Sequence, residues 1–251
     1  MRLMVLLRVV GDYTYDFSYY SRVQAFIYSL LRGSKYDYLH RVRGYKFFCF
    51  SNIFPYSIFF RDGDVKKLII SSPNNEFIDY IYRRIRDVLD LQPQIMIGHM
   101  RFEIIGIKKF RVYLGRYIHL ISATPIIIRI PEKYYKMFGI EGGKEGYIYW
   151  RSMYPVDAFL YNVEANLIKK YNQFHKTNFR ERRFIREARF KKEVAVKLKI
   201  EDKYIDIIGS IWEFQFNNPP KEIRNILEFG IETGFGERNS YGFGFINPIN
   251  K

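Results

Sequence analysis

The apolar positions in the first half of the chain recur with the periods of helices and strands in turn. Residues 19–31 and 76–89 place apolar side chains three or four positions apart, which predicts two helices. Stretches rich in β-branched and aromatic residues predict strands at 1–10, 46–54, 67–71 and 102–113. Asp62-Gly63 is a hairpin signal before the third of these strands. The predicted order is β-α-β-β-α-β, the split ferredoxin-like arrangement.

The second half of the chain repeats this order. Helical spacing recurs at 157–171 and 221–230, and strands, the first of them straight or bent, are predicted at 117–130, 189–200, 204–216 and 243–246. Residues 201–203 predict a hairpin turn between two of these strands. The fold class is therefore α+β, with two tandem ferredoxin-like (βαββαβ) domains at residues 1–116 and 117–251 and a C-terminal glycine-rich loop. Because the halves share negligible sequence identity, the repeat is inferred from topology alone.

The charge balance narrows the class of partner. Lys and Arg total 41 against 26 Asp and Glu, so the chain of 251 residues carries a formal net charge of +15. A polyanion fits such a surface, and nucleic acid and an acidic membrane face are both candidates. The 22 Tyr and 23 Phe supply core side chains and platforms on which unpaired bases can stack, two uses that composition does not separate.

The single cysteine and the N-terminal sequence limit the kinds of site and the cellular location that we expect. Cys49 is the single cysteine, which excludes a disulfide within the chain and a thiolate zinc site, and its apolar neighbours predict a buried thiol. Residues 1–10 are apolar but carry Arg2 and Arg8, and they are too few to span a bilayer. We expect a soluble cytoplasmic protein that does not associate with a membrane.

A basic stretch at residues 176–199, which follows the third predicted helix and continues into the next predicted strand, is a candidate RNA-binding surface. Its cations alternate with Phe179, Phe184 and Phe190, so it can both track phosphates and stack on bases. The candidate contacts are Arg180, Arg182, Arg183, Arg186, Arg189, Lys191 and Lys192. The alternative interpretation is a solvated charged face.

Residues 234–245 form the most distinctive segment, with glycines at 234, 236, 242 and 244. A phosphate-binding loop of a nucleotide enzyme precedes a helix and carries Lys followed by Ser or Thr, whereas this segment precedes a predicted strand and lacks that pair. It packs either against an RNA backbone or against its own sheet, since glycine permits close approach. Arg238 and Asn239, together with Gly234, Gly236, Gly242 and Gly244, are candidate RNA contacts.

The two Gly-Phe-Gly groups of this segment resemble the glycine-rich loop of the Cas6 family, CRISPR repeat-processing endoribonucleases of the repeat-associated RNA-binding (RAMP) superfamily. A second similarity lies in Gln24-Ala25-Phe26-Ile27-Tyr28, Tyr38-Leu39-His40 and the segment 43–48. These resemble archaeal members in which a Tyr, a His and a Lys surround the scissile phosphate. Carried over by position, the catalytic residues are Tyr28, His40 and Lys46, with Arg41 and Arg43 as flanking phosphate contacts.

The resemblance implies cleavage of CRISPR precursor RNA within its repeats, with no metal and no other cofactor. The partner is repeat RNA, other CRISPR effector subunits are further candidates, and both a monomer and a homodimer are compatible. The products would carry 2′,3′-cyclic phosphate and 5′-hydroxyl ends.

The chemistry of RNA agrees with this trio, because RNA carries its own nucleophile in the 2′-hydroxyl. Histidine suits proton transfer with a reference pKa of ~6.5, tyrosine can transfer a proton or orient the nucleophile, and lysine stabilises developing charge. Whether Tyr28 or His40 is the base stays open. Each residue also has an ordinary interpretation, as a core-edge tyrosine, a loop histidine and a solvated strand entry.

Three other functions remain in competition. A non-catalytic RNA-binding subunit of the same superfamily would keep the loop and the basic surface but need no trio. An unrelated basic module would bind duplex nucleic acid or a membrane surface. A metal-dependent nuclease is disfavoured, because His99, His119 and His175 lack a neighbouring carboxylate cluster in the sequence.

Overall fold

Two units divide the chain in a computed structural model that describes residues 1–15, 19–91, 94–141, 143–200 and 203–249. The first unit comprises the described residues of Met1–Val112, Lys197–Ile205 and Ser240–Gly242. The second comprises those of Tyr113–Val196, Asp206–Asn239 and Phe243–Lys251. A short return of the chain near its C terminus therefore belongs to the first unit.

The first unit builds its main sheet around one apolar strand. In chain order its elements are β1 (Arg2–Val9), β2 (Tyr13–Thr14), α1 (Tyr19–Leu31), β3 (Cys49–Phe50), β4 (Phe59–Phe60), β5 (Val65–Ser71), α2 (Asn75–Leu91), β6 (Gln94–Ile97) and β7 (Met100–Phe110). A 3-10 helix, Asp37–His40, lies between α1 and β3. The sheet order is β3-β5-β1-β7-β6, and β2 pairs separately with β4.

Strand β1 lies in the middle of the main sheet, and its apolar residues at every second position are buried. Leu3, Val5 and Leu7 have no exposed surface, and they belong to one hydrophobic cluster with the inward residues of α1 and α2. Antiparallel pairing places Val5 opposite Leu68 on β5 and Ile107 on β7. Both helices therefore cover the same face of the sheet as the alternation of β1 requires.

The helices predicted at 19–31 and 76–89 are present as α1 and α2, whereas the strand predicted at 46–54 is wrong for most of its length. Only Cys49–Phe50 forms a strand there. Phe47 has φ of 51°, in the left-handed region, which breaks the extended run. Phe54 makes only an isolated bridge to Lys67. Strand β6, which pairs with β7 through a turn at Gly98, was not predicted.

The second unit has a four-stranded sheet with an aromatic core. Its elements are β8 (Tyr117–Ser122), β9 (Arg129–Pro131), β10 (Tyr147–Tyr149), α3 (Val156–His175), β11 (Glu187–Ile200), β12 (Lys203–Asn217), α4 (Lys221–Thr233) and β13 (Ile246–Pro248). The sheet order is β11-β12-β8-β13, and β9 pairs with β10. Phe159 of α3 stacks on Trp212 of β12 with ring centroids 4.3 Å apart, which joins helix to sheet.

Two strand predictions in the second unit need correction. The stretch 117–130 is not continuous, since β8 ends at Ser122 and β9 begins at Arg129. The closing strand lies at Ile246–Pro248 rather than 243–246, because Gly244 has φ of 68° and cannot continue an extended run. Of the hairpin turn predicted at 201–203, residues 201 and 202 lie outside the described residues.

The α+β class with antiparallel sheets is confirmed. In each unit the first strand of the predicted series lies between the third and fourth, as β1 does between β5 and β7 and β8 does between β12 and β13. No helix within the described ranges is both long enough and apolar enough to cross a membrane.

Candidate active site

The structure brings the three predicted catalytic residues together in the first unit. Tyr28 lies at the edge of the buried face of α1, half-buried, and His40 is the last residue of the 3-10 helix. Their ring centroids are 5.2 Å apart, edge to face. Lys46 Nζ donates a hydrogen bond of 2.8 Å to Tyr28 Oη. Residues spread over a long loop therefore converge on one phenol.

A tight turn after α1 returns His40 to the helix. Ser34 Oγ donates to the Leu31 carbonyl at 2.6 Å and accepts from the Tyr36 amide at 3.0 Å, so the chain reverses within a few residues. Leu39 is buried in the core and fixes the 3-10 helix. His40, next in the chain, is left exposed beside Tyr28.

Lys46 is held by the buried residues that follow it. Phe48 is 1% exposed and its ring lies edge-on to that of Tyr28, with centroids 6.1 Å apart. The ammonium of Lys46 also lies 5.1 Å from the centre of the Tyr28 ring. The segment that was wrongly predicted as a strand thus serves to place Lys46 on the phenol.

Burial moves the pKa values of Tyr28 and Lys46 in opposite directions. The pKa of Tyr28 is raised above its usual value, chiefly by burial, while a hydrogen bond with the Ser240 side chain opposes the rise and Tyr241 adds to it. Burial lowers the pKa of Lys46. The phenol is therefore protonated at neutral pH, and the amine loses its proton at a lower pH than an ordinary lysine does.

A groove of about 370 Å³ opens beside these residues. It is lined by α1 and by the segment that follows it, with side chains of Ser21, Gln24, Ala25, Tyr28, Ser29, Arg32, Asp37, His40 and Arg41. Arg32 and Arg41 make its wall basic, although Arg41 Nη2 lies 4.0 Å from an Asp37 carboxylate oxygen. The groove thus joins a proton-transfer group to cations that suit a phosphate.

Sequence reasoning missed three residues of this site. Gln24 lies four positions before Tyr28 on α1, and Arg32 lies four positions after Tyr28, in the turn directly beyond the helix, so helical spacing could have placed both near Tyr28. Ser240 is far from Tyr28 in the chain, and no local pattern in the sequence connects the two. Gln24 Nε2 donates to the Ser240 carbonyl at 2.8 Å.

Within the second unit, the glycines of the glycine-rich segment pack closely against other atoms of the protein. Gly234, Gly236 and Gly244 are buried with positive φ, and a Cβ on Gly244 would lie 1.9 Å from the Phe235 carbonyl oxygen. Packing alone therefore requires glycine there. In the first unit, Gly242 is also buried, and a Cβ on it would lie 2.5 Å from the Phe50 ring. RNA contact by these glycines stays a prediction.

A buried lysine that the sequence did not single out holds this segment. Lys170 of α3 is 2% exposed, and its ammonium donates to the Gly234 carbonyl, to the Gly236 carbonyl at 3.2 Å and to Asn239 Oδ1 at 3.0 Å. Asn239 Nδ2 donates in turn to the carbonyls of Phe235 and Phe243, each at 3.0 Å. The predicted RNA contact Asn239 is thus engaged within the segment, and Arg238 lies beside Tyr149.

The predicted basic surface is exposed, but part of its charge is neutralised by protein carboxylates. Exposed side chains are found at all seven of its cations, Arg180, Arg182, Arg183, Arg186, Arg189, Lys191 and Lys192. Three of them form ion pairs, Arg182 with Glu222 at 2.8 Å, Arg183 with Glu164 at 2.6 Å and Lys191 with Glu213 at 3.0 Å. In the first unit, Arg41 and Arg43 are exposed close in the chain to His40.

The other histidines have different surroundings. His99 Nδ1 lies 2.8 Å from Arg22 Nη1, and His119 Nε2 lies 4.0 Å from Glu213. Burial lowers the pKa of His175, which contacts Phe229, while Glu232 opposes the shift. Over the described ranges, His, Cys, Asp and Glu form no group of three or more that could hold a metal ion.

Comparison with known proteins gives consistent matches along the whole chain. The family model for the C-terminal part of the CRISPR associated protein Cas6 matches residues 110–248. A protein of Methanocaldococcus jannaschii named CRISPR-associated endoribonuclease Cas6 2 is 31% identical, over 99% of this chain and 100% of its own. A Haloferax mediterranei protein named CRISPR-associated endoribonuclease Cas6 is 28% identical, over 100% of this chain and 94% of its own.

Among solved structures, one described as an RAMP protein binding different RNA substrates has the same fold. It superposes with a TM-score of 0.72 at 24% identity and covers 100% of both chains.

Proposed function

The chain belongs to the Cas6 family of CRISPR-associated proteins, and on that premise we propose that it is an endoribonuclease that cuts CRISPR precursor RNA within the repeats. The observation that carries the proposal is the convergence of Tyr28, His40 and Lys46, of which Tyr28 and His40 line the basic groove. We also interpret each unit as a ferredoxin-like domain, with the catalytic site in residues 1–116 and the glycine-rich loop and basic surface in residues 117–251.

Proton transfer is assigned to His40. Because its side chain is exposed in the groove, it can reach a substrate hydroxyl, and histidine exchanges protons near neutral pH. The raised pKa of Tyr28 disfavours the phenol as the base at neutral pH. Tyr28 instead donates a hydrogen bond that orients the reacting groups.

The remaining requirement is stabilisation of negative charge on the phosphorane, which falls to Lys46. Its ammonium already lies on Tyr28 Oη, so a phosphate oxygen placed next to the phenol would also be close to it. His40 accepts the proton of the 2′-hydroxyl, the 2′-oxygen attacks phosphorus, and the bond from phosphorus to the 5′-oxygen breaks as His40 returns the proton to that oxygen. The products carry a 2′,3′-cyclic phosphate and a 5′-hydroxyl, and the side chains named supply each step without a cofactor.

Cleavage of end-labelled repeat RNA in EDTA, with a 2′-deoxy control at the cut site, tests the reaction. We expect cutting that EDTA leaves intact and that the 2′-deoxy substitution abolishes. Cutting that requires a divalent cation would contradict the mechanism. Tight binding of repeat RNA without cutting would identify a non-catalytic RNA-binding subunit instead.

His40→Ala tests the site. Loss of a proton-transfer group should slow single-turnover cleavage by about 10²- to 10⁴-fold, while the Kd for repeat RNA stays within about 2-fold because one exposed side chain adds little to phosphate binding. His99→Ala is the matched control, since His99 is exposed but lies outside the groove lining. A His40→Ala variant that cuts at the parental rate would show that the site is wrong.

A further inference from the structure

Residues Ser240–Gly242 are the part of the C-terminal segment that belongs to the first unit, and Ser240 and Gly242 lie against Gln24 and Tyr20 of α1. Gln24 Nε2 donates a hydrogen bond of 2.8 Å to the Ser240 carbonyl, which fixes the backbone at that residue. The Ser240 side chain forms a hydrogen bond with Tyr28. One backbone contact and one side-chain contact therefore anchor Ser240 to the same face of the helix.

We propose that Ser240 is a positioning residue for RNA cleavage, whose hydroxyl donates to Tyr28 Oη and directs the phenol hydrogen towards the substrate. The inference rests on the proposed function, since it assigns a role within that same site.

The hydrogen-bonding capacity of the Tyr28 phenol is limited. A tyrosine oxygen carries one hydrogen and accepts up to two hydrogen bonds. Lys46 Nζ, which can only donate, takes one acceptor position at 2.8 Å. Gln24 on α1, one turn before Tyr28, holds Ser240 on the same face of the helix, where its hydroxyl is placed to fill the second acceptor position. The lowering of the Tyr28 pKa by the Ser240 hydrogen bond agrees with a serine that donates. With both acceptor positions filled, the phenol hydrogen is available only to a third partner.

Gly242 explains how the backbone comes close enough. It has φ of 90°, and a Cβ on it would lie 2.5 Å from the Phe50 ring and 3.0 Å from the Tyr20 ring. A side chain there would push the segment away from α1 and take Ser240 with it. Glycine at 242 therefore has a role in delivering Ser240, apart from any contact with RNA.

The experiment compares single-turnover cleavage and Kd for repeat RNA in the full chain. We expect Ser240→Ala to cut about 10- to 100-fold more slowly through misplacement of the phenol, with Kd within about 2-fold of parental. Ser240→Thr, which keeps the hydroxyl, should recover most of the rate. Ser240→Cys keeps the volume but is a weaker donor, and it should fall between the two. Ser152→Ala, at an exposed serine outside the groove lining, is the control and should cut as the parent does.

A double-mutant cycle with Tyr28→Phe separates positioning from structure. If Ser240 acts through the phenol oxygen, Ser240→Ala should add no further loss once that oxygen is gone. Equal losses in both backgrounds would overturn the proposal, because Ser240 would then act independently of Tyr28. A Ser240→Ala variant that cuts as fast as the parent would also overturn it. A parent that fails to cut repeat RNA would instead overturn the proposed function, and this inference with it.

Discussion

The Lys46 amine links burial to catalysis at the scale of one residue. Burial lowers its pKa, so as pH rises its charge is lost earlier than that of an ordinary lysine. Arginine keeps its charge throughout, since its pKa is above ~12. If the charge at position 46 drives cleavage, Lys46→Arg should move the alkaline limb of the single-turnover pH profile to higher pH, even where its maximum rate is lower.

The Lys46→Met variant is the control for this prediction. Lys46→Met has no charge at any pH, so its residual cleavage should show no alkaline limb from this position. Alkaline limbs that coincide for the parent and Lys46→Arg would assign that limb to another group, and the proposed role of Lys46 in stabilising charge would be lost.

The sequence predicted those site residues that local motifs or helical spacing identify. Tyr28, His40 and Lys46 were identified through motif resemblance, and the structure places their side chains together, while their catalytic roles stay a prediction. Arg32 could also have been predicted, because it lies four positions after Tyr28, just beyond the end of α1. Ser240 could not, because its place beside α1 depends on the fold of the whole first unit and on Gly242.

At the scale of elements, two glycines with similar backbone angles allow conformation and packing to be separated. Gly33 has φ of 71° with no atom near its missing Cβ, whereas Gly244 has φ of 68° with a backbone oxygen 1.9 Å from that position. Gly33→Ala should cost about 1 kcal/mol, for the left-handed conformation alone. Gly244→Ala should cost clearly more, beyond about 2 kcal/mol, since a backbone carbonyl cannot move aside cheaply.

Urea denaturation monitored by circular dichroism measures both variants against the parent. The difference between them isolates the steric part, because the conformational part is common to both. Equal shifts of the unfolding midpoint would mean that the segment moves freely to admit a side chain, and would contradict the close packing on Phe235.

The elements that the sequence predicted well are those whose periodic burial is local. α1 spans Tyr19–Leu31, and Val23, Ile27 and Leu30 repeat on one face of it. In the structure these three side chains are buried, as their spacing predicts. The failures lie where single residues override the pattern. Phe47 adopts a left-handed φ, which an aromatic residue gives no reason to predict. The positive φ of Gly244 interrupts the apolar run 243–246.

The net charge is a property of the whole molecule. Composition gives its value directly but does not give the distribution of the charges. The sequence counts +15, but it does not show that Arg182, Arg183 and Lys191 face carboxylates. Those pairs draw on residues from distant elements, such as Glu222 at the start of α4. The charge available to RNA is therefore smaller than the count, and it rests on the cations outside these pairs.

Salt dependence of RNA binding tests which cations are used. Neutralised phosphates release counterions, so on single-stranded RNA the slope of log K against log salt falls by ~0.7 for each phosphate that a variant no longer neutralises. A triple variant, Arg180→Ala with Arg186→Ala and Lys192→Ala, should reduce the slope by about 2 if each residue binds a phosphate. The slope is measured from Kd for repeat RNA over a range of salt concentrations.

The matched control removes the same charge elsewhere. Arg83, Arg84 and Arg86 are exposed on α2, and their triple alanine variant has the same net charge as the first. Direct contacts predict that the α2 variant keeps nearly the parental slope, because charges that touch no phosphate release no counterions. If both variants show an equal reduction in slope, the basic stretch acts only through the overall field of the molecule, and the seven cations assigned there would not form a specific RNA-binding surface.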